Sequence, residues 1–129
     1  MSDNKFDYCI EDRVAGASWT IRRQIVNVPS GQLITEAWFT VKKDINDADS
    51  SAIVQKYITV TNVAGTGQIE DQGSSGTGIV RFDLLHTDTV LFDENIVYEY
   101  DIKVKTDAGV RDHPEIGTLK VRARVTRDD

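Results

Sequence analysis

Cysteine is the scarcest informative residue in this chain: Cys9 stands alone among 129 residues. A single cysteine excludes an internal disulfide, so packing must hold the fold, which fits synthesis in a reducing cytosol. Proline and histidine are nearly as rare, two of each. Nowhere do eighteen apolar residues run together, and the opening Met1-Ser2-Asp3-Asn4-Lys5 has no apolar core, so neither a Sec substrate nor a membrane protein is expected. Positive charge is short: 15 Lys and Arg face 21 Asp and Glu, a net charge of −6. That is the wrong sign for coating phosphate backbones, and a nucleic-acid partner is not expected.

What is present is ordinary for a folded domain, 40% hydrophobic and 28% charged residues in a length that suits one core. Strict alternation marks the strands. Ile96, Tyr98, Tyr100, Ile102 and Val104 alternate with Glu99, Asp101 and Lys103; Leu119, Val121, Ala123 and Val125 alternate with Lys120, Arg122 and Arg124. The segment between, Thr106 to Gly117, contains Asp107-Ala108-Gly109 and Pro114 and predicts a connecting loop, hence an antiparallel hairpin. Charge pairing favours a register that sets Asp101 opposite Lys120 and Glu99 opposite Arg122.

The same grammar recurs upstream. Trp19, Ile21 and Ile25 share a face with Arg23 among them, and Pro29-Ser30-Gly31 predicts a turn. Leu33 to Lys42 reads as a strand with Ala37, Phe39 and Val41 inward and Trp38, Thr40 and Lys42 outward. Ala52 to Thr61 and Ile79 to Leu84 read as further strands, with a Gly-rich loop holding one short edge strand between them, and His86 to Glu94 as a crossing segment with one helical turn. These elements predict a single all-β Ig-like antiparallel sandwich of about seven strands over residues 17–127, preceded by an N-terminal arm, residues 1–16.

Motifs that carry chemistry are thin. Asp44, Asn46, Asp47 and Asp49 space their oxygens as a cation loop does, but an EF-hand starting at Asp44 needs Gly and Glu where Asp49 and Gln55 stand, so a solvated turn is the reading. The Gly-rich stretch has no Gly-Lys-Ser/Thr, so it predicts no phosphate cradle. Cys9, His86 and His113 are too few and too scattered for zinc, and no nucleophile motif surrounds them. A buried or half-buried structural role is expected for Cys9, and no catalytic residue, cofactor or metal site is predicted. Tyr100 is the candidate for a tyrosine-corner bond. Trp38, out of phase with its inward neighbours, and Tyr57 are candidate contact residues. A carbohydrate-binding sandwich using exposed Trp38 and Tyr57 is the alternative from another functional class.

Taken together, Ala17-Ser18-Trp19-Thr20-Ile21, the run Leu33 to Lys42, Gly78-Ile79-Val80-Arg81-Phe82, Thr87-Asp88-Thr89, Tyr98-Glu99-Tyr100-Asp101-Ile102 and the closing run Gly117 to Arg127 resemble the Ig-like β-sandwich modules of tailed-phage virions, among them the N-terminal domain of baseplate upper proteins. Those proteins continue past the module, whereas this chain stops at Asp129. The resemblance therefore implies a free-standing, non-enzymatic capsid decoration or cement protein, made in the host bacterial cytoplasm and located in the virion. Its implied partners are the major capsid protein or, alternatively, head-tail, tail or baseplate proteins, with self-association open. Sheet edges and the Gly-rich loop, with Gly73 and Gly76, join Trp38 and Tyr57 as the candidate interface.

Overall fold

The computed structural model describes residues 8–11, 13–44 and 46–123. Eight strands are formed there: β1 Tyr8–Ile10, β2 Trp19–Ile25, β3 Ile34–Lys42, β4 Val54–Ile58, β5 Gly67–Asp71, β6 Gly78–Leu84, β7 Tyr98–Thr106 and β8 Arg111–Leu119. A single helical turn, α1 His86–Thr89, lies between β6 and β7. The strands divide into a five-stranded sheet, β1-β8-β7-β3-β4, and a three-stranded sheet, β2-β6-β5. This is immunoglobulin-type connectivity, with the second, fifth and sixth strands on one layer and the hairpin β7–β8 beside β3 on the other.

Alternation places the core as expected. Ile21, Ile25, Val80, Phe82 and Leu84 from the smaller sheet meet Ala37, Phe39, Val41, Ile102 and Val104 from the larger, all at most 1% exposed. Phe39 lies at the centre, its ring 5.7 Å from both Phe82 and Tyr100. At one end Trp19 stacks on Phe92 at 5.4 Å, and its indole N–H donates to Val14 O at 2.9 Å, so the buried ring keeps its polar edge satisfied.

Three expectations need correction. The C-terminal hairpin exists, but its second strand is Arg111–Leu119, which occupies most of the expected loop. Asp101 therefore stands opposite Ile116 and Glu99 opposite Thr118, and the charge ladder to Lys120 and Arg122 is not formed. The pairing shifts between Ile102 and Val104, whose partners are Glu115 and Asp112, so His113 and Pro114 fall in a bulge. A proline lacks an N–H for the ladder, and a bulge is one of the few places within a sheet that accepts it. Second, the corner tyrosine is Tyr98, whose hydroxyl accepts from Asp93 N–H at 2.6 Å. Third, Cys9 is exposed on the edge strand. Within the stretch read as an N-terminal arm, β1 pairs in parallel with β8 and Val14 bridges Arg122. The strand expected up to Val125 and the boundary at 127 extend past residue 123, outside the described residues.

One glycine in the predicted Gly-rich segment is dictated by backbone geometry. Gly67 has φ of +128°, and a Cβ there would lie 2.0 Å from the carbonyl oxygen of Arg81 on the neighbouring strand. Gly67→Ala is expected to cost about 2 kcal/mol, combining strain with displacement of β5. Gly31→Ala, at a positive φ in open space, serves as the strain-only comparison. Urea titration of both checks this; equal losses would show that β5 gives way freely.

Candidate functional site

Strand register writes the outer face of the five-stranded sheet as a grid. One row holds Tyr57, Trp38 and Lys103 side by side on β4, β3 and β7; the next holds Gln55, Thr40, Asp101 and Ile116; a third holds Lys42, Glu99, Thr118 and Cys9. Between these rows lies a groove of about 350 Å³ lined by Trp38, Thr40, Lys42, Gln55, Asp101 and His113, among others. That is within the size range of small-molecule sites.

Local contacts preorganise it. Trp38 and Tyr57 are tilted rings 5.2 Å apart, and the Lys103 ammonium stands 5.0 Å from the Trp38 ring centre. Gln55 Nε2 donates to Thr40 Oγ1 at 3.0 Å, and the Asp101 carboxylate lies 2.6 Å from His113 Nδ1. Partial desolvation, followed by the charge of and a hydrogen bond with Glu36, raises the pKa of the Tyr57 phenol, so this ring presents a neutral hydroxyl.

At one end Lys42 Nζ pairs with Asp49 at 2.7 Å and donates to Asp47 O at 2.8 Å. The hydrogen bond from Lys42, then its charge, lowers the pKa of Asp49. The Lys42 ammonium thus neutralises Asp49 at this end of the acidic loop. Among the described residues no group of three or more His, Cys, Asp and Glu is arranged to bind a metal.

The candidate contact residues separate into two locations. Trp38 and Tyr57 are direct cross-strand partners on this face, with Trp38 half-buried and Tyr57 46% exposed. Gly73 and Gly76 belong to the turn between β5 and β6 in the other sheet, where Gly76 N–H donates to Gly73 O and Gly76 O accepts from Val28 N–H. Gly73 is buried against Val28, which makes it a turn residue with no side to present. The outer face of the smaller sheet is a closed ion network: Glu70 bridges Arg22 at 2.6 Å and Arg81 at 2.8 Å, and Arg81 also reaches Asp83 and Asn62. Glu70 thereby reconciles two arginines that oppose each other across β2 and β6, and the hydrogen bond from Arg22 leads in holding its pKa down.

The alternation of β2 places Arg23 in an inward phase, and its partner comes from the other sheet. Glu115, 5% exposed, accepts from Arg23 Nε at 2.8 Å and from the Tyr100 hydroxyl. This joins β2 of one sheet to β7 and β8 of the other. Tyr100 follows the corner tyrosine by two residues, the place that disulfide-linked domains of this architecture give to a cysteine. A polar triad therefore ties the sheets together where a covalent bond is excluded.

Burial first, then the hydrogen bond to Glu115, pushes the Tyr100 phenol well above its ordinary value of 10.0. A raised folded-state pKa contributes stability fully below pH 10 and loses it as pH rises further, because the unfolded chain ionises first. Tyr100→Phe is expected to be about 1–2 kcal/mol less stable at pH 8. The gap should narrow by about 1.4 kcal/mol by pH 11, measured by urea titration across pH. A gap that stays constant would overturn this account.

Neither a protein-family model nor a curated protein matches the sequence. Among solved structures the fold is similar to that of the NK cell receptor NKp44, described as a triggering partner in natural cytotoxicity. The identity is 15% and the TM-score 0.49, with 93% of this chain and 99% of that one covered.

Proposed function

We propose that this chain is a non-enzymatic structural protein of a tailed-phage virion that decorates the assembled capsid shell, with the major capsid protein as its partner. The reading is carried by the order in which the virion-module motifs follow one another along one β-sandwich. Ala17 to Ile21 enters β2, Leu33 to Lys42 spans β3, Gly78 to Phe82 opens β6, Thr87 to Thr89 lies in α1, and Tyr98 to Ile102 opens β7. The described part of the closing run, Gly117 to Ala123, ends β8 and continues past it.

Several of these residues do architectural work that such a module needs. Thr89 Oγ1 donates to Ala17 O at 2.6 Å, which ties the crossing segment to the start of β2. Asp88 accepts from Leu85 N–H at 2.9 Å and pairs with Lys56 at 2.8 Å, which fixes the helical turn against β4. A rigid sandwich presented in many copies gains firm attachment from modest individual contacts. The free edge of β4, at the end of the five-stranded sheet, is its contact surface. A head-tail connector, tail or baseplate position is the alternative within the same class.

Particles from the phage or prophage that encodes the chain, carrying a label at Asp129, decide among these. Label spread over the head, with shells that fail earlier on heating when the protein is deleted, is the expected result. Label confined to the tail or neck moves the protein to the alternative position. Particles without label overturn the virion reading.

A further inference from the structure

We propose that the groove on the outer face of the five-stranded sheet binds a neutral saccharide, a site separate from whatever edge or face holds the protein to a larger assembly. Strand register orders the side chains of this face into rows. Trp38, with Tyr57 packed beside it just outside the groove, stands next to a polar row, Gln55, Thr40 and Asp101. Two residues along a strand separate them, about 6.8 Å. A pyranose ring has the matching duality: a C–H face that packs on an aromatic surface and a rim of hydroxyls that both donate and accept.

The polar row supplies both functions. Gln55, Asp101 and His113 make one another's neighbourhood rigid through the Gln55–Thr40 and Asp101–His113 contacts, yet an amide and a carboxylate retain further N–H groups and lone pairs for a ligand. Lys103, held over the Trp38 ring, places an additional donor at the rim.

Charge selects against the rivals. Lys42 is held by Asp49, Glu99 stands directly across from Lys42, and Asp101 faces His113, so the groove carries cations and anions interleaved and offers no single-sign surface to a polyanion or polycation. An extended peptide is disfavoured because β3 and β7, which floor the groove, are each hydrogen-bonded on both sides and leave no edge for strand addition. A volume of about 350 Å³ suits a mono- to disaccharide.

The test uses the full chain, isotope-labelled, titrated with glucose, galactose, mannose, N-acetylglucosamine, their simple disaccharides and, as the acidic comparison, glucuronic acid, while amide shifts are followed by NMR. Saturable changes confined to β3, β4, β7 and the His113 bulge are expected for at least one sugar. Trp38→Ala should weaken that binding about tenfold or more, and Tyr57→Ala, which removes the ring packed beside Trp38, should weaken it about threefold or more. Tyr57, the more exposed ring, guards against a Trp38 variant that fails to fold. Asp101→Asn should weaken it with the amide spectrum otherwise kept.

No saturable change with any sugar at concentrations on the order of 10 mM would overturn the site, as would binding that both aromatic variants retain or shifts located elsewhere. Binding found only for acidic saccharides would also overturn it. Because the assay uses the free protein, its failure leaves shell decoration standing, and absence of the protein from particles leaves the saccharide site standing.

Discussion

Phe39→Ala is expected to remove about 3–5 kcal/mol of folding stability, the largest effect of any single core truncation here. Phe39 is fully buried on β3, which is paired on both sides, and its ring contacts aromatic residues from both layers, Phe82 on β6 and Tyr100 on β7. Collapse into the vacated volume would require both sheets to move together, so a cavity remains and its cost adds to the lost transfer energy. Domains of this size have total stabilities of about 5–15 kcal/mol, and with one cysteine this one has no cross-link to limit its unfolded state. The variant should therefore unfold at a far lower urea concentration with an unchanged slope. Phe39→Leu, which keeps most of the volume, should lose much less. A Phe39→Ala loss under about 2 kcal/mol would show that the two layers are loosely coupled at their centre.

Arg23→Leu is expected to cost about 3 kcal/mol, because it leaves the buried Glu115 carboxylate with only the Tyr100 hydroxyl. The effect falls at the lower end for such a loss because the Arg23 side chain is one-third exposed, so water reaches the site. The double variant Arg23→Leu with Glu115→Leu should recover much of that loss, since it removes both charges instead of stranding one. Urea titration of the two single variants and the double variant measures the coupling. Additive losses would mean that Arg23 and Glu115 act independently and that the triad does not join the sheets.

Several strands were legible from local pattern alone. In β2, β3, β6 and β7 one face is packed and the other wet, so the alternation of Trp19–Ile21, Ala37–Phe39–Val41, Val80–Phe82–Leu84 and Tyr98–Tyr100–Ile102 records burial directly. The outward phase of Trp38 followed from the same arithmetic, and so did its pairing face with Tyr57 once β3 and β4 were neighbours. β8 escaped because its segment breaks the rule in three ways. Pro114 cannot donate to a ladder, Gly117 has no side chain to show a phase, and Glu115 is a charge pointing inward. Each reads as loop when judged alone. The clean alternation from Leu119 onward instead looked like the strand itself, although β8 ends at Leu119.

By itself the sequence determined the class of fold, its lack of a disulfide, and which faces of β2, β3, β6 and β7 turn inward, because those properties follow from the spacing of neighbours along one strand. Only the tertiary structure decided the register of the β7–β8 hairpin, the exposure of Cys9, and the triad that joins Arg23 to a glutamate 92 residues away. The groove on the outer face was likewise decided there, since its lining draws on four strands, β3, β4, β7 and β8. The physical reason is common to all of these. A side chain's face is set by its own backbone, but its partner is set by which distant strand the hydrogen-bond ladder brings alongside, and a single bulge at Pro114 is enough to change that partner.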